Sequence, residues 1–126
     1  MAVYIGVDFH ARQQTVSYLT TESEEIERRQ LSHERAAEVR AFYEQFRGER
    51  VVVGFESSGY AAWFEELLEE LGYEIWVGDA TAIRSFARRR QKNDRRDADL
   101  MLELLVRGDF PRIYRYSKES RQVFSN

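Results

Sequence analysis

The stretch Tyr4-Ile5-Gly6-Val7-Asp8-Phe9-His10 decides the fold. It is a short apolar run that ends in an aspartate and then a turn. Residues 2–8 read as a strand with few polar side chains, hence central in a sheet. Two later segments carry acids placed to meet Asp8. Val51-Val52-Val53-Gly54-Phe55-Glu56 is a second apolar strand ending in a carboxylate, and Asn93-Asp94-Arg95-Arg96-Asp97-Ala98 opens a helix. The fold must explain why acids from separated segments converge.

Working outward, Phe9 to Gln13 reads as a turn and Thr15 to Thr20 alternates as a second strand. Glu25 to Leu31 is a third strand, charged enough to sit at a sheet edge. Short turns join the three, so an antiparallel meander is expected. Ser32 reads as the N-cap of a helix over His33 to Phe46, with Ala36, Val39, Phe42, Tyr43 and Phe46 as its apolar face. The apolar run Val51 to Phe55 then follows as a buried strand, and a right-handed crossover makes it parallel to the first. Ser57 or Ser58 reads as the cap of a helix from about Gly59 to Leu71, facing the core with Tyr60, Trp63, Phe64, Leu67, Leu68 and Leu71. Tyr73 to Val77 is the fifth strand. Ala80 to Arg90 has helical character with a basic end, and Asp94 to Arg107 is a clear last helix closed by Gly108. The order β-β-β-α-β-α-β-α, an α/β arrangement with a five-stranded mixed sheet, is ribonuclease-H-like. Residues 1–111 are expected to form the domain, and 112–126 a tail or the start of a linker.

Composition narrows the function. At 126 residues the chain suits one domain with a real core. It holds no cysteine, which excludes disulfides and thiolate metal sites. No signal peptide or transmembrane run is present, so a cytoplasmic location is expected. Net charge is −3, but it is uneven. Acids crowd Glu65 to Glu70, while Arg84, Arg88, Arg89, Arg90, Lys92, Arg95 and Arg96 crowd one stretch. A basic patch beside an acidic cluster suits a phosphodiester substrate. Taken alone, the same run also reads as a solvated charged loop.

Ligands of α/β sheets bind beyond the carboxyl ends of the parallel strands. Asp8 and Glu56 end two such strands. Asp94, Asp97, Met101, Leu104 and Gly108 follow helical spacing, with Ala98, Leu102 and Leu105 widening the stripe. Arg96, Asp99, Glu103 and Arg107 fall on the solvent side. Asp97 is thus in line with core residues. Acids held together near a sheet need a cation or a proton, and magnesium or manganese with oxygen ligands is the natural partner. Each acid also has an ordinary reading. Asp94 and Asp97 form a capping-box-like pair, and Asp8 is a turn aspartate. His10 reads as a solvated turn residue or as the border of the site, His33 as structural, and Ser57 and Ser58 as caps rather than nucleophiles.

The motifs around Asp8, the segment Gly54-Phe55-Glu56-Ser57-Ser58-Gly59-Tyr60 and the segment Lys92-Asn93-Asp94-Arg95-Arg96-Asp97-Ala98 resemble the N-terminal domain of the DEDD transposases. These form the insertion-sequence family known as IS-one-ten, with the Piv/MooV invertases, and that domain is similar to the RuvC resolvase. The resemblance spans about Met1 to Pro111. It differs at Asn93, where the family usually has threonine, at Tyr60, which follows Gly59 directly, and at Gly78-Asp79, where Asn-Pro is common. It implies an acidic tetrad of Asp8, Glu56, Asp94 and Asp97 binding magnesium or manganese. It also implies DNA recombination guided by a structured RNA and a C-terminal domain bearing a nucleophilic serine, so the chain is expected to be an N-terminal fragment, an excised domain or a truncated element.

The expected function is therefore the catalytic domain of a DNA transposase, with Arg88, Arg89, Arg90, Lys92, Arg95 and Arg96 on the phosphate backbone and a homo-oligomer as the full-length assembly. One alternative is a stand-alone junction-cleaving nuclease. Another is a non-catalytic domain that binds RNA or DNA and assembles a complex, to which the tail residues Tyr114, Arg115, Tyr116, Lys118 and Arg121 would contribute. No membrane partner is expected.

Overall fold

The computed structural model describes residues 1–89 and 97–113. Five strands, β1 (Ala2–Phe9), β2 (Gln13–Thr20), β3 (Glu27–Ser32), β4 (Arg50–Glu56) and β5 (Glu74–Gly78), form one sheet in the order β3-β2-β1-β4-β5. The first three make the expected antiparallel meander, and β4 and β5 are parallel to β1. This is the ribonuclease-H-like arrangement, with β1 at its centre.

Alternation along the strands divides the core in two. Val3, Ile5 and Val7 of β1, with Val51, Val53 and Phe55 of β4, face α1 (Ala36–Glu44) and α2 (Ala62–Glu70), where Tyr43, Phe64 and Leu68 are fully buried. Burying a side chain such as Phe64 stabilises the fold by about 2–3 kcal/mol. The opposite face carries Val52, Tyr4 and Trp76 against α3 (Ala80–Arg89) and α4 (Asp97–Arg107), which contribute Ile83, Leu100, Met101, Leu104 and Leu105. Asp8 and Glu56 have the parity of this second face.

Two glycines set how closely α4 lies on the sheet. Gly6 and Gly54 are partners across β1 and β4. A Cβ on Gly6 would stand 2.3 Å from the Leu102 amide nitrogen and 2.6 Å from the Ala98 carbonyl oxygen, so the α4 backbone rests directly on β1. A Cβ on Gly54 would meet the Leu105 and Phe110 side chains at 2.9 Å.

Several element ends differ from expectation, each for a local reason. Ser32 does not cap the next helix, because it ends β3, paired with Gln13; α1 starts at Ala36 with no side-chain cap. Ser58 accepts a hydrogen bond from the Tyr60 amide in a turn, so α2 starts only at Ala62, again without a side-chain cap. Tyr60 consequently lies off the core face and is 63% exposed, and Trp63 is 41% exposed. The basic segment does form a helix, α3. Asp79 caps it, its Oδ1 accepting from the Thr81 and Ala82 amides at 2.8 and 3.2 Å. Residues 111–113 run along the outer side of β5, where the Asp79 amide donates to the Pro111 carbonyl and the Ile113 amide to the Val77 carbonyl. The Arg112 guanidinium lies 4.7 Å over the Trp76 ring. Tyr114 and the rest of the tail lie outside the described residues. No helix of the described residues is long and apolar enough to cross a membrane.

Candidate metal centre

Because β1 and β4 are adjacent and parallel, their carboxyl ends lie side by side. Asp8 and Glu56 each stand one residue beyond the last registered pair, Val7 and Phe55. They project from the sheet face on which α4 is seated, and α4 starts with Asp97. Three acids from three separated segments are therefore neighbours at one edge of the sheet, and their charges are felt mutually. Partial burial raises the Glu56 carboxyl above its usual range. Arg84 opposes that rise, and Asp97 and Asp8 add to it. The Asp97 carboxyl is also raised, first by partial burial and then by Asp8, with His10 opposing. Asp97 as a residue is still exposed to solvent, so its desolvation is incomplete.

Basic side chains flank two of these acids. His10 Nε2 stands 3.1 Å from Asp8 Oδ2, and the ring is otherwise exposed to solvent. Arg84 of α3 stands 3.7 Å from Glu56 Oε1. The pairing of Arg84 with Glu56 was not legible in the sequence, where Arg84 was one of a run of bases. His33 is structural as expected. Its ring packs between Phe9 and Trp63, and Nδ1 and Nε2 face the Ala11 carbonyl and the Gln14 amide.

Of the remaining expected site residues, Arg88 is exposed on α3 and Arg89 ends that helix. Asp94, Arg90, Lys92, Arg95 and Arg96 lie outside the described residues, as does the side chain of Arg89. Asp99 departs from the expected solvent stripe. Its Oδ1 accepts from the buried Ser17 hydroxyl at 2.5 Å and from Arg28 Nε at 2.9 Å, and its Oδ2 from Arg28 Nη2 at 3.0 Å.

The donor set suits a hard divalent cation in kind. All three acids offer carboxylate oxygens, and the repulsion that favours protonation of Glu56 and Asp97 is what a cation relieves. Among the described residues no three histidine, aspartate or glutamate side chains are close enough to hold an ion as a set.

The family model for DEDD transposases of the IS110 type, described as a transposase, matches residues 5–123. No curated protein matches the chain. Among solved structures, one similar chain belongs to the simian T-cell lymphotropic virus intasome in complex with PP2A regulatory subunit B56 gamma, with 8% identity and a TM-score of 0.40. The match covers 82% of this chain and 47% of that one, so this chain spans about half the length of its structural neighbour. That likeness is too slight to bear on function.

Proposed function

This chain belongs to the IS110-type DEDD transposases, and we propose that it carries the metal-dependent phosphodiester chemistry of DNA transposition on Asp8, Glu56, Asp97 and Asp94. The observation that supports this reading is that Asp8, Glu56 and Asp97 lie near one sheet edge, close enough to feel one another's charge, with the Glu56 and Asp97 carboxyls both raised above their ordinary values. A magnesium or manganese ion bound there would activate an attacking oxygen and offset charge on the leaving one.

The chain's own residues prepare the site for that chemistry. Asp8 and Glu56 are fixed by the β1–β4 ladder, and Asp97 by the seat of α4 on Gly6. Arg84 offsets part of the acidic charge, and His10 stands beside Asp8. Arg88, with Arg89, Arg90, Lys92, Arg95 and Arg96, holds the phosphate backbone by charge, so binding weakens as salt rises. A structured guide RNA selects the DNA, a serine-bearing domain completes the covalent step, and the full-length protein acts as a homo-oligomer in the cytoplasm.

DNA cleavage with manganese, by the chain joined to its serine-bearing domain and supplied with guide RNA, tests this reading. The wild-type assembly is expected to cleave, and Asp8→Asn and Glu56→Gln to lose at least about a hundredfold in rate. Equal rates in the variants, or cleavage undiminished by a chelator, would refute it.

A further inference from the structure

The helix that carries Asp97 is held by two devices, and only one is apolar. Gly6 fixes the height of α4 above β1 through backbone contact. Leu100, Leu104 and Leu105 add apolar packing, which is non-directional and fixes rotation less sharply than a hydrogen bond. Rotation is what matters for a carboxylate. A helix with its side chains has a radius of about 5–6 Å, so a 20° turn moves a side-chain tip by about 2 Å. Ligand distances in a metal site tolerate only about 0.2 Å.

Asp99 adds a directional constraint. Two residues past Asp97, it points to roughly the opposite side of the helix, since successive residues turn by about 100°. There it meets the wholly buried Ser17 on β2 and the guanidinium of Arg28 on the edge strand β3. The Arg28 contact is two-pronged and charge-assisted, the geometry that fixes orientation best. Ser17 is wholly buried, and its hydroxyl needs an acceptor there. Ser17 and Arg28 sit on the meander, more than 70 positions earlier in the chain, so the grip ties the first turn of α4 to the sheet.

We propose that Asp99, gripped by Ser17 and Arg28, is a positioning residue that sets the rotation of α4 and so holds Asp97 beside Asp8. The purpose of the device rests on the cation-site reading above; its geometry does not. Amide hydrogen exchange separates it from a general contribution to stability. In an α-helix the Met101 and Leu102 amides bond to the Asp97 and Ala98 carbonyls, so their exchange reports opening of the first turn.

In Arg28→Ala these two amides are expected to exchange about tenfold faster, while Leu105 and Val106 are unchanged. Arg28→Lys should restore part of the protection, and manganese affinity measured by calorimetry should fall about fivefold in Arg28→Ala. Uniform acceleration along α4, or none, would overturn the proposal. Asp97→Ala serves as the control for the reading beneath it. It should abolish cation binding and leave the Met101 and Leu102 amides protected. If the wild-type protein takes up no cation, the site reading fails, and the exchange pattern still decides whether Asp99 grips the helix.

Discussion

Replacing Gly6 with alanine probes the link between packing and site most sharply. The new Cβ would lie 2.3 Å from the Leu102 nitrogen and 2.9 Å from its Cα, against ordinary contact distances of 3.4–4 Å. The obstacle is helix backbone, which cannot swing aside as a side-chain tip can. Helix α4 must therefore rise by about 1 Å or β1 must bend, and overpacking of this severity costs about 3 kcal/mol. The same lift would carry Asp97 away from Asp8. Two neighbours calibrate the result. Gly54→Ala meets the tips of Leu105 and Phe110 and should cost about 1–2 kcal/mol. Gly59→Ala meets nothing within 4 Å and should change stability by less than about 0.5 kcal/mol. Urea unfolding of the three variants gives the ordering directly. A Gly6→Ala protein as stable as Gly59→Ala would refute the claim that α4 rests on the β1 backbone.

Two further outcomes follow from buried and half-buried polar groups. In the cation-free protein Glu56 and Asp97 have folded-state affinities for protons above their unfolded ones. The folded state then binds more protons than the unfolded across the carboxylate range, so their contribution to stability is present at low pH and is lost as pH rises through that range. Asp97→Asn should remove part of this slope in urea unfolding between about pH 4 and 7, with a gain at neutral pH of at most about 0.5 kcal/mol because solvent screens so exposed a group. An unchanged slope would contradict the crowding of these acids. On the other face of the sheet, the buried Tyr43 hydroxyl donates to Gln14 Oε1 at 2.5 Å. Tyr43→Phe strands that acceptor and should cost about 1–3 kcal/mol in the same assay.

How much of this was legible in the sequence depends on the range of the forces involved. The apolar runs ending in Asp8 and Glu56 announce buried strands by local composition, and their parallel adjacency follows from the crossover through a helix. The apolar stripe of α4 is likewise local, and Met101, Leu104, Ala98, Leu102 and Leu105 are all buried. Asp99 was misread because helical spacing alone places it opposite the stripe; its partners Ser17 and Arg28 come from strands far away in the chain. Arg84 was lost in a run of bases for the same reason. The early starts given to α1 and α2 come from treating serine as a cap, when Ser32 serves the sheet ladder and Ser58 a turn. Asp79 is the opposite case, a cap signal present in Asp79-Ala80-Thr81-Ala82 and not used.

The central claim is that acids from β1, β4 and α4 form one cation site. Titrating manganese into the isotope-labelled protein tests it, because a paramagnetic ion broadens the amide signals nearest to it. Saturable broadening is expected at Asp8, Glu56 and Asp97 together, and its loss in Asp97→Ala. Broadening confined to the acidic row Glu65, Glu66, Glu69 and Glu70 of α2, or none at the sheet edge, would contradict it.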